Sequence, residues 1–527
     1  MGMAQACITA ALMLSMDGTH TPLSYSKLDW PTKYKNIAMG KLDQLNFDNT
    51  FSRLPDIFHS RLNPTPLPHP YLVSFNANAA ELINLDVTES ERSDFAEYFI
   101  GNRLLPGSEP LSMLYAGHQF GYFVPQLGDG RAILLGEIKN SDGEYWDIQL
   151  KGAGITPFSR EGDGRAVLRS SIREYLCSEA MHGLGIPTSR ALCIVGSDAE
   201  VYRETIESAA VVTRLSPSHV RFGSFEVFAY RDQHEPIALL ADYVIAKHFP
   251  DISDAPDKYL RFLNEVITRT ASLMAQWQAV GFAHGVMNTD NMSILGLTFD
   301  YGPFGFMETY DPSFICNHSD HGGRYAFDQQ PQIGLWNLAC LAQALTPIIA
   351  VEEAQKALEN YEPTYFKYYT ELMGKKLGLT NVSKEDASLV TPLLEMMRAS
   401  QLDYTNLFRS LGLFKFAPDE KNSELRDQFI DRAAFDAWAD VYRTRLQSEP
   451  GTDEERKTRM DKVNPKYILR NSMAQSAIAL AERERDFSEI DRLLALLSRP
   501  FDEQPEMEDY AAPAPDWARH VVVSCSS

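Results

Sequence analysis

The sequence predicts an α+β protein in two halves, a sheet-rich region followed by a helix-rich one, and two patterns carry that reading. From Tyr115 to Tyr230 short apolar runs are separated by glycines, the spacing of a mostly antiparallel sheet. After Ile237 the apolar residues recur at three and four, the spacing of helices packed on a common core. A third observation bounds the class: 527 residues, 44% hydrophobic and 11% aromatic, can bury a large core and are not a collagen-like, low-complexity or wholly disordered chain.

Residues 1 to about 45 lack sustained periodicity and read as an N-terminal extension, with the folded part starting near Leu45. The stretch Met1 to Met16 is uncharged, and no Lys or Arg precedes its apolar part as a secretory leader would require. Strands are expected at Phe120–Val124, Ala132–Ile138, Tyr145–Leu150, Ala191–Val195, Ala209–Leu215 and Phe225–Tyr230. One helix interrupts them, from Ala166 to Leu184, stopped by Gly185 and Pro187. The sheet-rich region thus covers 46–236 and the helical region 237–500. Within the latter, Phe262, Leu263, Val266, Ile267, Leu273, Met274, Trp277 and Val280 define an amphipathic helix ending at Gly281. The uncharged run Ile333–Val351 contains Asn337, Gln343 and Pro347 and reads as a buried core helix rather than a membrane span. Gly451–Arg459 reads as a charged connector, and 501–527 as an acidic tail ending Ser-Cys-Ser-Ser.

Lys+Arg 49 against Asp+Glu 71 leaves a net charge of −22, which argues against nucleic acid or an anionic membrane as the partner. The six cysteines form no C-x-x-C pair and no metal-ligand spacing, so a reducing, cytoplasmic setting is expected. Against that background Lys151–Arg173 is locally basic, with five cations (Lys151, Arg160, Arg165, Arg169, Arg173) and two acids (Glu161, Asp163). Arg214 and Arg221 flank Ser216-Pro-Ser-His219 on what reads as a hairpin and add two guanidinium forks suited to phosphate. The tetrapeptide Gly-Asp-Gly-Arg occurs at Gly128–Arg131 and again at Gly162–Arg165, the composition of a tight turn beside an anion. An aspartate in each turn would repel phosphates lying directly on it. His318-Ser-Asp320-His321 reads as a polar loop network rather than a metal site.

Strand parity puts Lys151 on the face opposite Ile148 and Leu150, and Glu174 follows on the next helix. A glycine turn, a strand ending in lysine and a helix carrying a glutamate is the order of protein kinases, whose lysine holds phosphates and pairs with the glutamate. Further on, Phe282-Ala-His284-Gly-Val286-Met-Asn288-Thr-Asp290-Asn291 and then Asp300-Tyr-Gly302 resemble a kinase catalytic loop and its metal-binding triplet. Asn291 and Asp300 stand where kinases hold Mg²⁺, and hard oxygen donors suit that ion. Val286 stands where kinases place the catalytic aspartate and cannot accept a proton; Asp290 is the nearest carboxylate able to serve as base. His284 reads as structural.

Taken together, Gly128-Asp-Gly130-Arg131, Lys151-Gly-Ala-Gly154, Thr156-Pro-Phe-Ser-Arg160, Gly162-Asp163-Gly164-Arg165, the Asp290-Asn291 loop and Asp300-Tyr-Gly302 resemble the selenoprotein O (YdiU) family from about Leu45 to Ser527. The resemblance includes Cys525, third from the end, where selenocysteine stands in some members. It implies a two-lobed protein-kinase-like fold that binds ATP reversed and transfers AMP from ATP, or UMP from UTP, to Ser, Thr or Tyr hydroxyls of proteins. It further implies nucleotide contacts from Gly128, Gly130, Arg131, Lys151, Asp163, Gly164, Arg214 and Arg221, a Lys151–Glu174 pair, Asp290 as proton acceptor, and Mg²⁺ or Mn²⁺ on Asn291 and Asp300. A monomer is expected. Two alternatives stay open: a phosphotransferase using the γ-phosphate, against which Val286 counts, and a non-catalytic nucleotide-binding pseudokinase, against which the retained Asn291 and Asp300 count. A reversible Cys316–Cys525 bridge would restrain the segment after Asp300; two thiols in a reducing cytosol are the other possibility.

Overall fold

The computed structural model describes residues 39–521 and 523, and the expectations for residues 1–38 and for Cys525 lie outside them. Eight strands form one sheet in the order β1-β3-β6-β7-β10-β9-β2, with β8 paired to β10. They are β1 (His59–Arg61), β2 (Tyr71–Phe75), β3 (Leu111–Met113), β6 (Ala132–Lys139), β7 (Tyr145–Lys151), β8 (Ala166–Val167), β9 (Arg190–Tyr202) and β10 (Ile206–Ser216). Two short strands outside it, β4 (Gly117–Gln119) and β5 (Tyr122–Val124), form a separate hairpin. Every pairing in the main sheet is antiparallel, as the alternating apolar runs require.

Each face of that sheet feeds a different core. Ile133, Leu135, Ile148, Leu150, Val195 and Val211 pack with Phe95, Phe99 and Leu42 on one side. Leu134, Ile194, Val212 and the Leu168–Gly183 helix build the other, which runs without a break into Val266, Met274, Leu338 and Leu493 of the helical region. The alternation puts Ile148 and Leu150 on the first face and turns Lys151 to the second, toward that helix.

The order of strands then helices holds, with local differences. Phe225–Tyr230 is not a strand: Gly223–Ala229 is a helix, because an apolar run of this length fits either period and here packs against the helix Gln330–Ala344. Helices therefore begin before residue 237, and the point between 236 and 237 falls inside the helix His234–His248. Arg214 and Arg221 do not share a hairpin; Arg214 is on β10, whose hairpin partner is β9, and Arg221 lies beyond its end, bridged to Ser293. Gly451–Arg459 is largely helical, since Thr452 and Glu455 close a capping box at the start of Asp453–Asp461. Order also begins before Leu45, with Gly40 bridged to Leu85 and Leu42 buried. The long amphipathic helix runs Lys258–Val280 and ends on Gly281 in the left-handed conformation. Ile333 to Ala344 lie in the helix Gln330–Ala344. Among the described residues no helix is long and apolar enough to cross a membrane. The acidic tail lies against the helical region: Lys466 bonds Glu503 and Glu508 at 2.6 Å each, and Asn406 donates to the Ala511 carbonyl.

Candidate active site

Lys151 ends β7 in the middle of the sheet, paired with Ala132 on β6 and Val212 on β10. Its Nζ donates to Glu174 Oε2 at 2.5 Å, and Glu174 is buried on the Leu168–Gly183 helix. Two residues earlier on the same face of β7, Gln149 accepts from Arg214 and donates to Asp129 Oδ2 at 3.1 Å. Arg214, directly across from Gln149 on β10, also donates to Glu174 Oε1 at 3.1 Å and to Asp300 Oδ1. Arg221 donates to the other oxygen of Asp300 at 2.6 Å and, from the same nitrogen, to the Asp290 carbonyl at 2.6 Å. Its guanidinium lies over the rings of Tyr115 and Phe299, 4.4 and 4.5 Å from their centroids. Residues 86 and 79 positions apart are thereby gathered around one carboxylate.

Charge decides what this cluster can hold. Burial alone would raise the carboxyl of Asp300, but Arg214, Arg221 and Lys151 hold it well below the usual carboxylate range. Burial depresses Lys151, opposed by Glu174 and reinforced by Arg214 and Arg131. Burial also lowers Arg131, whose field partners are Glu174 and Asp300, so it belongs to the same group. Four cations (Arg131, Lys151, Arg214, Arg221) thus stand among the carboxylates of Glu174 and Asp300, with the carboxyls of Asp129 and Asp290, both raised by burial, next to them. Guanidinium and ammonium groups gathered in this way are the chemistry that binds phosphate.

The loop opposite completes the site. Asn288–Asn291 follows the long helix and a short strand β11 (Phe282–Ala283), paired to β12 (Gly305–Phe306). Asn291 Nδ2 donates to the Val286 carbonyl at 3.0 Å, which orients the amide and makes its oxygen the atom open to a cation. Asp300 has φ of +60°, a left-handed backbone that aspartate tolerates at some cost and that is characteristic of functional turns. Asp290 is buried, and burial pushes its carboxyl up to about 7, with the hydrogen bond from Gln119 and the charge of Arg221 acting the other way. Its Oδ1 is buried without a hydrogen-bond partner. Val286 is buried, and His284 is structural: it stacks on Trp277 and its Nε2 meets the Phe299 carbonyl at 3.1 Å.

The two Gly-Asp-Gly-Arg turns behave differently from one another. Gly128, at φ of +84°, lies so close to Phe158 and the Met113 carbonyl that a Cβ would stand 2.5 and 2.9 Å from them. Thr156 Oγ1 and Ser159 Oγ tie the loop down through the Asp129 and Gly130 carbonyls. Asp129 points inward to Met113 N, Gln149 and Tyr115. In the second turn Asp163 pairs with Arg203 at 2.8 Å, and the Gly164 carbonyl accepts from Gly154 N. Asp163 is thus paired with a guanidinium, whereas Asp129 is held by neutral donors alone. The structure brings Arg131, Lys151, Glu174, Arg214, Arg221, Asp290 and Asp300 together, and leaves Asp163 with Arg203. Sequence reasoning missed Gln149, Tyr115 and Phe299; the polar residues at period two in Asp147-Ile-Gln149-Leu-Lys151 would have revealed the first. His318 and His321 stand on a loop organised by Asp320, which accepts from the backbone of Arg324 and Tyr325. Among the described residues no group of three His, Cys, Asp or Glu is arranged to hold a metal.

The family model described as "Protein adenylyltransferase SelO" matches residues 41–498. This chain belongs to the SelO/YdiU family. A relative named "Protein nucleotidyltransferase YdiU" from Thiobacillus denitrificans is 58% identical over 93% of this chain and all of its own length. Proteins of the same name from Myxococcus xanthus and Pseudomonas fluorescens Pf-5 are 57% and 53% identical, again over 93% of this chain and their full lengths. Membership in SelO/YdiU makes the chain an enzyme of the nucleotidyltransferase type.

Proposed function

We propose that the protein transfers AMP from ATP to hydroxyl side chains of proteins and releases pyrophosphate, with UMP from UTP as the variant the family name leaves room for. The observation that carries this reading is the convergence of Arg214 and Arg221 on Asp300, with Lys151 on the adjoining Glu174, beside the Asp290-Asn291 loop. Supporting the proposed two-lobed, kinase-like arrangement are the Lys151–Glu174 pair and the position of Asp300 after the loop. We place the nucleotide-binding lobe ahead of the helix His234–His248 and the helical lobe from that helix to about residue 500, and expect a cytoplasmic monomer.

Asn291 and Asp300, hard oxygen donors either side of an anion-binding cluster, fit Mg²⁺ or Mn²⁺, and Asn291 already has its amide nitrogen turned away. Such an ion would neutralise phosphate charge and orient the nucleotide. Lys151, Arg131, Arg214 and Arg221 bind and orient the triphosphate, stabilising the charge that builds on the departing pyrophosphate. The acceptor hydroxyl oxygen forms a bond to the α-phosphorus as the bond from that phosphorus to pyrophosphate breaks, and Asp290 takes the hydroxyl proton. Arg214 and Arg221 are partnered with Asp300 here, so phosphate binding redistributes these pairs. Gly128, Gly130 and Gly164 would let the two turns approach the nucleotide, and Asp163 would meet it only by giving up part of its pairing with Arg203.

The test is incubation with an acceptor protein and ATP labelled separately at the α and γ positions. Protein-bound α label without γ label supports the reading; γ label alone makes the enzyme a kinase.

A further inference from the structure

The hairpin of β4 and β5 holds the proposed base, and it does so through three successive residues. His118 N donates to Thr289 Oγ1 at 2.7 Å, Gln119 Nε2 to Asp290 Oδ2 at 3.2 Å, and Phe120 N to Asn288 Oδ1 at 3.2 Å. The hairpin itself is anchored from behind. The ring of His118 meets buried Glu226 at Nδ1, 2.9 Å, and the Tyr230 hydroxyl at Nε2, 3.3 Å. Tyr325 fixes the turn from the other side, sharing its hydroxyl between Phe120 N at 3.0 Å and Asn288 Oδ1 at 2.6 Å. Phe120 sits at φ of +50°, an unfavourable backbone for an aromatic residue that persists only where the surroundings enforce it.

The consequence falls on one carboxyl group. The terminal torsion of aspartate is broad, so a buried carboxyl is not aimed by its rotamer alone. Against Asp290 the backbone of β4 closes on one oxygen: a Cβ at Gly117 would stand 2.7 Å from Oδ1 and 2.9 Å from the Asp290 Cβ. On the other oxygen the Gln119 amide supplies the directional bond. Oδ1 has no hydrogen-bond partner, so Gln119 is the side chain that sets the plane of the group.

We infer that Gln119 is a positioning residue for Asp290, orienting its carboxyl toward the acceptor hydroxyl. This rests on the reading of Asp290 as proton acceptor. Gln119 contacts Asp290 and not the Lys151–Arg214–Arg221 cluster through any bond described above, so its loss bears on the chemical step rather than on nucleotide binding. A misaimed reacting group of this kind costs about 10² in rate.

The experiment compares the wild type, Gln119→Met, Gln119→Glu, Asp290→Asn and the double variant Gln119→Met with Asp290→Asn in the full chain. Initial rates of nucleotide transfer to an acceptor protein, ATP affinity by a fluorescent ATP analogue, and thermal melts are read for each. Gln119→Met keeps the volume and removes the donor; Gln119→Glu keeps the shape and replaces the amide by a carboxyl. Both are expected to lower kcat roughly 10- to 100-fold with ATP affinity little changed; the melting temperature is little changed in Gln119→Met and falls in Gln119→Glu, whose carboxyl stands against that of Asp290, and Gln119→Met is expected to cost nothing further once Asp290 is Asn. Wild-type kcat in Gln119→Met overturns the inference, as does an equal fold-loss in both backgrounds, which would mark a merely structural role. Full activity of Asp290→Asn instead overturns the base assignment itself, so the two failures are distinguishable.

Discussion

Replacing Asp300 by alanine tests the charge architecture most severely. In the native arrangement Arg214 and Arg221 are almost fully buried, with side-chain exposures of 3% and 2%, and each spends a bond on one oxygen of Asp300. Arg214 would keep Glu174 and Gln149. Arg221 would keep only two backbone carbonyls and the flanking rings, with no carboxylate bonded to it. Breaking a buried pair by removing one partner costs about 3–5 kcal/mol, because the remaining charge stays in low dielectric. Asp300→Ala is therefore expected to lose about 3–5 kcal/mol of folding stability as well as transfer activity, and to recover part of that stability when ATP alone supplies phosphate to the orphaned guanidinium. Chemical denaturation with and without ATP, at fixed low salt, measures both effects. A variant as stable as wild type, or one that ATP does not stabilise, would refute the account of Asp300 as counterion to the two arginines.

Other outcomes follow from the same structure. Lys151→Ala leaves Glu174 paired with Arg214, so the fold is expected to persist while ATP affinity falls at least tenfold, measured by titration and a thermal melt. Lys376 is buried over the rings of Phe408 and Tyr404, at 4.4 and 5.5 Å, and burial pushes its amine down to about 7. Because this folded-state value lies below the unfolded one, the unfolded chain binds the extra proton between about pH 7 and the ordinary lysine value near 10.4, and stability rises with pH across that window. Lys376→Met is expected to gain about 1–3 kcal/mol at pH 7, after allowing for the lost cation–π contact, with the gain shrinking toward pH 10 in denaturation curves. His318 N donates to the Val523 carbonyl at 3.0 Å, which puts the residue two places before Cys525 beside the loop of Cys316. Peptide mapping of the oxidised protein is expected to yield a Cys316–Cys525 linked peptide that reduction removes.

How far the site was legible depends on the range over which each residue acts. Lys151 and Glu174 could be read because strand parity and one following helix fix their faces locally. That Asp290 and Asp300 stand near one another could be read because they lie within eleven residues in a recognisable loop. What stayed hidden was the use of Arg214 and Arg221: their composition announced an anion site, but that they neutralise Asp300 emerges only when β10 and the loop after it meet the distant Asp300. Gln119 was invisible for the same reason, standing 171 positions from the carboxylate it bonds. Local misreadings have local causes. Phe225–Tyr230 is too short for periodicity to separate strand from helix, and the Thr452–Glu455 capping box was masked by the charge of Gly451–Arg459.

The product that leaves the enzyme bears most directly on the proposed reaction. With acceptor protein, ATP and Mg²⁺, pyrophosphate and ADP are quantified together with the nucleotide bound to the acceptor, for the wild type and Asp290→Asn. Nucleotidyl transfer with Asp290 as base requires one pyrophosphate per modified acceptor, no ADP, and a rate lowered ~10²- to 10⁴-fold in the variant. ADP formed in step with acceptor modification, or a variant as fast as wild type, would contradict it.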